Sequence, residues 1–217
     1  MSALDDNRLV AMARGLRAAG ETRIAPYLTA GDGGLDRTLE LLRAVEGAGA
    51  ACVELGVPFT DPIADGPVLQ AAADRALAAG VDVDGIFAMV RQFREEGGKL
   101  PIALMSYCNP LGRRGWPEAC VEAAEVGVDA LILPDLPVEE GDPVRAAADA
   151  ANLCTIFFAA PTSSDERVRR AVEASRGFLY VVGRTGVTGA GTTFDDSAQT
   201  FLERVAGLAD DLPTAVG

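Results

Sequence analysis

Short apolar runs alternate with amphipathic helical stretches along nearly the whole chain, and that alternation most constrains what it can fold into. The runs lie at 24–29, 52–56, 102–106, 130–133, 155–159, 178–182 and 212–216, and their near-continuous apolar character predicts about seven strands buried on both faces. Between them Leu35, Leu39 and Leu42, and later Ile86, Met89, Val90 and Phe93, recur at helical spacing and give each helix one apolar face. Gly49, Gly80 and Gly127 stand where a left-handed stop is wanted before the next element. Asp142-Pro143 predicts a cap and a first-turn proline for a helix reaching Asn152, and Thr162-Ser-Ser-Asp-Glu166 predicts hydroxyl caps and first-turn acids for the next. Ahead of the repeat, Leu9, Met12, Ala13 and Leu16 between Asn7 and Gly20 predict an extra N-terminal helix lying against the body.

Strands that alternate strictly with helices form a parallel α/β sheet covered on both faces, which leaves a TIM barrel or an open doubly wound sheet. The open sheet is disfavoured because no GxGxxG turn follows the first strand, which runs instead into Thr29-Ala-Gly-Asp32. The expectation is a TIM (β/α)8 barrel forming a single domain over residues 1–217. No helix and no eighth strand follow the run at 212–216, so the barrel is expected to lack its eighth unit and its C-terminal part.

Composition narrows the function classes. A net charge of −13 argues against nucleic acid or an anionic membrane surface as a partner, since either would repel the chain. An anionic small substrate would have to be held by local dipoles and backbone N–H groups. The apolar runs fall far short of the roughly 20 residues of a membrane span, and the polar N-terminal stretch carries no export signal, so a cytoplasmic protein is expected. Cys52, Cys108, Cys120 and Cys154 have no metal-binding spacing and read as free buried thiols. There is no histidine, which removes the Ser-His-Asp triad and imidazole metal sites together. Acid–base work at neutral pH then falls first to carboxylates.

In a barrel the reacting groups come from the C-terminal ends of strands and the loops after them. Glu54 lies inside the apolar run at 52–56, where a carboxylate is costly unless paired in a salt bridge or functional. A long loop stiffened by Pro58, Pro62 and Pro67 follows and carries Asp61 and Asp65. One buried and one loop carboxylate can be pushed to different pKa values, giving an acid–base group and a charge stabiliser. The glycine-rich segment 183–191 can bring backbone N–H groups to an anion, act as a lid, or be a plain flexible turn. Tyr180, on the strand before it, points a phenol toward the mouth or sits in the core.

Together these blocks resemble a known family. Glu54-Leu-Gly-Val-Pro-Phe-Thr-Asp-Pro-Ile-Ala-Asp-Gly-Pro67 closely resembles the signature of the tryptophan synthase alpha-subunit family. Pro26-Tyr-Leu-Thr-Ala-Gly-Asp32, Met105-Ser-Tyr-Cys-Asn-Pro110, Leu133-Pro-Asp-Leu-Pro-Val-Glu-Glu140 and Arg184-Thr-Gly-Val-Thr-Gly189 follow in family order. The departures are mild: Gly33 replaces a usual proline, Thr60 a usual serine, and Leu111-Gly-Arg-Arg-Gly-Trp116 is an unusual loop.

The resemblance implies a lyase of L-tryptophan biosynthesis that cleaves indole-3-glycerol phosphate to indole and glyceraldehyde 3-phosphate by a retro-aldol route. It implies Glu54 as the general acid–base and Asp65 as acceptor of the indole N–H and stabiliser of charge on the ring. Tyr180 would orient the reacting centre, Tyr27, Tyr107 and Ile132 would line the indole slot, and Thr188 and Gly189 would belong to the lid. No metal or organic cofactor is implied for this chain. The implied partner is the beta subunit, which carries pyridoxal phosphate, in an α2β2 complex. The alternatives are another phosphate-substrate barrel, such as indole-glycerol-phosphate synthase or a pentose-phosphate epimerase, and a catalytically silent regulatory subunit. Indole-glycerol-phosphate synthase leans on catalytic lysines, whereas the one lysine here, Lys99, precedes the third strand and lies on the wrong barrel face.

Overall fold

In the computed structural model, which describes residues 3–183 and 196–217, the chain runs α1 (Arg8–Ala19), β1 (Tyr27–Thr29), α2 (Leu35–Gly47), β2 (Val53–Gly56), α3 (Pro67–Ala78), α4 (Val83–Glu95), β3 (Ile102–Met105), α5 (Cys108–Gly112), α6 (Trp116–Val126), β4 (Ala130–Ile132), α7 (Asp142–Ala150), β5 (Cys154–Ile156), β6 (Phe158–Ala159), α8 (Asp165–Ala174), β7 (Leu179–Val181), α9 (Asp196–Leu208) and β8 (Thr214–Val216). Every strand pairing is parallel, in the orders β1-β2-β3-β4-β5 and β6-β7-β8. The seven expected runs are therefore all strands, but the fifth is divided at Phe157. Its N–H is taken by the Ser175 hydroxyl at 3.0 Å, and its carbonyl accepts from Tyr180 N at 3.0 Å. A continuous apolar run gave no sign of that change of partner.

Alternation along the strands separates two packing layers. On β2, Val53 and Leu55 pack outward with Ile102, Leu104 and Leu131 against Leu39, Leu42, Ile86 and Phe93 of the surrounding helices. The intervening positions face inward. Cys52, Ala103, Ala130, Ile132, Cys154, Ile156 and Phe178 form one cluster that Tyr180 and Ala215 join, so strands from both sheets curl around a shared interior, as expected of the TIM-barrel type.

The extra N-terminal helix, with Leu9, and the 3-10 turn Ala3–Asp6 before it, with Leu4, cover the N-terminal end of that interior. Asn7 caps the helix, its Oδ1 accepting from Leu9 N at 2.9 Å, and its Nδ2 donates to the carbonyls of Asp129 and Asn152, both at 2.9 Å. The Asp129 carboxylate, on a residue only 2% exposed, meets Arg8 Nε at 2.9 Å, Arg94 at 3.0 Å and Ile102 N at 2.8 Å. Arg94 also donates to the carbonyls of Gly98, Leu100 and Gly127. Burial pulls its guanidinium down to about 10, which leaves it charged at neutral pH.

Gly49, Gly80 and Gly127 do adopt positive φ (78°, 77° and 97°), and Ser164 caps α8 by accepting from Arg167 N. The expected cap at Asp142 is corrected. Asp142 is the first residue of α7 itself, Gly141 occupies the cap, and no side chain bonds there, because the 3-10 turn Val138–Glu140 delivers the chain directly into the helix. Cys108 departs from the expected burial, being half-exposed where the other three cysteines are buried.

Candidate active site

Glu54 occupies the middle of β2 with Tyr27 on one side and Ala103 on the other, in register. It points inward and is 7% exposed. Burial pushes its carboxyl up to about 7, so at neutral pH the protonated and ionised forms are both populated. Its charge is felt by both Tyr27 and Tyr180, whose phenols burial pushes up to about 12 and keeps protonated. Glu54 also lines a cavity of about 710 Å³ that is walled by Met12 and Leu16 of α1, by residues 21–25 ahead of β1 and by β8.

The loop after β2 brings in the second carboxylate. Asp65 is half-buried, and that burial raises its pKa while a hydrogen bond from Tyr107 opposes the rise. The Tyr107 phenol oxygen also accepts from Ala64 N at 2.8 Å, and its ring packs on Phe59 with centroids 5.3 Å apart. Asp61 turns away: it is exposed and accepts from its neighbour Thr60 at 2.6 Å. Tyr27, Asp65 and Tyr107, with Val57, Met105, Ser106 and Pro134, converge on a cavity of about 10 Å³, room for about one water molecule.

Of the residues expected from sequence, Tyr27, Asp65 and Tyr107 thus meet at the mouth, with Glu54 beside Tyr27. Ile132 faces the shared interior from β4, and Tyr180 stacks on Phe158 at 4.9 Å. Thr188 and Gly189 lie outside the described residues. Two features carried no sequence expectation. One is the use of the Tyr107 hydroxyl as a pin for residues 64 and 65. The other is Asp135, which accepts from Cys108 N at 2.9 and 3.1 Å and whose signals were its place just past a strand end and within the block 133–140.

Gly56 is required by close approach. A Cβ there would stand 2.0 Å from the Tyr27 hydroxyl. Gly56→Ala should therefore displace the Tyr27 ring and cost about 1–3 kcal/mol, which thermal melting would reveal; an unchanged melting temperature would mean that Tyr27 is not held there.

Residues 13–217 match the family described as tryptophan synthase alpha chain. A protein of that name from Alkalilimnicola ehrlichii is 47% identical over 211 residues, covering 97% of this chain and 77% of its own length. One from Prochlorococcus marinus is 44% identical over 204 residues, covering 93% and 73%. Among solved structures, Mycobacterium tuberculosis tryptophan synthase superposes with a TM-score of 0.87 at 34% identity, over 97% of this chain and 80% of that one. The tryptophan synthase a2b2 complex from Pyrococcus furiosus does so with a TM-score of 0.82 at 35% identity, over 90% and 77%.

Proposed function

The chain belongs to the tryptophan synthase alpha chain family, and from that premise we propose that it cleaves indole-3-glycerol phosphate to indole and glyceraldehyde 3-phosphate in tryptophan biosynthesis. The observation that carries the reading is the buried Glu54 carboxyl, pushed up to about 7, one strand away from the loop that holds Asp65. In the retro-aldol route a proton goes to the ring carbon bearing the side chain, and the ring nitrogen takes up positive charge. A proton then leaves the adjacent glycerol hydroxyl, the carbon–carbon bond breaks, and its electron pair restores the indole ring as the aldehyde forms. Glu54 gives the first proton and receives the second, so it ends in its starting state. A carboxyl balanced near neutral pH suits both steps.

Asp65 accepts the indole N–H and offsets the charge on the ring. Tyr27, Tyr107 and Ile132 bound the indole, Tyr180 orients the reacting centre from β7, and Thr188 and Gly189 serve the lid. This chemistry uses no metal or organic cofactor; pyridoxal phosphate belongs to the beta subunit, the partner in an α2β2 assembly. Ile63 and Val68, exposed apolar side chains beside the Asp65 loop, offer the kind of surface a partner covers. Among the described residues no helix is long and apolar enough to cross a membrane, which accords with a cytoplasmic location.

The test is indole release from indole-3-glycerol phosphate, measured with and without a beta subunit. In that assay Asp65→Asn should lose far more rate than Asp61→Asn, by roughly 10²-fold if the charge acts on the transition state. Equal losses would show that the loop acids are misassigned, and no indole release under either condition would favour a silent regulatory subunit.

A further inference from the structure

We propose that Asp135 is a positioning residue for Asp65, acting through the start of α5 and the Tyr107 phenol. The inference rests on the reading of Asp65 as the group that meets the indole N–H.

Helix α5 is a single short segment whose cap residue, Tyr107, has extended backbone (φ −72°, ψ 160°) and makes no side-chain cap bond of its own. The first N–H of the helix, on Cys108, would be left without a partner. Asp135, from the loop after β4, supplies it with both carboxylate oxygens, at 2.9 and 3.1 Å. Burial, together with the nearby Asp135 carboxylate, pushes the Cys108 thiol up to about 12, so it stays protonated at any working pH. The Tyr107 backbone is further held by Ser106 Oγ, which donates to its carbonyl at 2.8 Å.

Beyond the backbone, the Tyr107 hydroxyl ties the helix start to the loop after β2. It accepts from Ala64 N, the neighbour of Asp65, at 2.8 Å, and it shares a cavity wall with the Asp65 carboxylate, on which it acts to lower the pKa. Three successive strand-to-helix loops are stitched in series: the loop after β4 holds the one after β3, which holds the one after β2. Asp135 itself is exposed and is absent from the lining of the cavity where Tyr27, Asp65 and Tyr107 meet. Its effect on the reaction is therefore indirect. Without it the first turn of α5 relaxes, Tyr107 is free to swing, and Asp65 loses its fixed aim at the ring nitrogen.

The experiment is steady-state indole formation from indole-3-glycerol phosphate, with a beta subunit present, for Asp135→Ala, Asp135→Asn, Tyr107→Phe, the Asp135→Ala/Tyr107→Phe double variant and Asp65→Asn. Asp135→Ala should lower kcat about tenfold, the size of effect that a lost helix cap carries, with KM little changed. Asp135→Asn keeps an acceptor for Cys108 N and should stay within about twofold of the parent. On the Tyr107→Phe background, Asp135→Ala should cost less than about twofold more, because the route to Asp65 is already cut. The proposal is overturned if Asp135→Ala matches the parent, if the alanine and asparagine variants lose equally, or if the full loss recurs on the Tyr107→Phe background. A parent-like Asp65→Asn would instead overturn the underlying reading of Asp65, whatever Asp135 does.

Discussion

Glu54→Gln is expected to lower the rate of indole formation by about 10²–10⁴-fold, the range over which a general acid–base group acts. The amide keeps the size and most of the hydrogen-bonding capacity of the carboxyl but cannot move a proton. The same substitution should have an opposite effect on stability, and the sign follows from the direction of the pKa shift. The unfolded chain releases the Glu54 proton from its ordinary value of 4.5 upward, whereas the folded chain keeps it until about 7. Across that window the native state binds more protons than the unfolded state, so it loses stability as pH rises, by roughly 3 kcal/mol once both are ionised. Glutamine removes that loss. The variant should melt higher than the parent at pH 8 and show a much smaller advantage at pH 4, a difference that paired thermal melts would read. An active Glu54→Gln chain would remove the proposed acid–base group, and a variant that melts lower at pH 8 would mean that the carboxylate is stabilised when ionised.

The second large effect lies at the other end of the molecule. Asp129→Ala should destabilise the fold by about 3–5 kcal/mol, because it leaves the Arg94 guanidinium without its carboxylate in a largely buried setting. For a chain of this size that is a fall in melting temperature on the order of 10 °C. The loss compounds several contacts, since the same carboxylate also meets Arg8 and accepts from Ile102 N. It therefore joins the N-terminal helix, α4 and β3 at one point. Calorimetry of Asp129→Ala beside the parent decides it, and melting temperatures within about 2 °C, less than 1 kcal/mol, would show that water takes over the role of the carboxylate.

What was legible in the sequence, and what was not, divides along the range of the interactions. The strands were readable because seven runs are apolar on both faces, and Glu54 stood out because it interrupts one of them. Asp65 could be separated from Asp61 only in three dimensions, since the two differ in whether the loop turns them toward Tyr107. The Asp129 cluster left no local trace: Arg94 lies 35 residues away in the chain, and each residue read alone is an ordinary charge at the end of an element. Asp135 is similar, its partner Cys108 being 27 residues distant. The cap misread at Asp142 has a more local cause, because a proline after an acid marks a helix start but does not tell the cap from the first turn when a 3-10 turn leads in.

The division of the fifth strand at Phe157 bears on how the molecule comes apart. β5 is bound to the sheet that carries Glu54, and β6 to the sheet that carries Tyr180. Between them the regular ladder gives way to the Ser175 hydroxyl on the Phe157 amide, a bond from Arg176 N to the Thr155 carbonyl and one from Tyr180 N to the Phe157 carbonyl. A seam one residue wide transmits less cooperativity than a run of paired strands, so the two parts of the sheet are suited to opening as separate foldons. The acid–base group and Tyr180 would then belong to different foldons, and the reacting geometry exists only while both are closed.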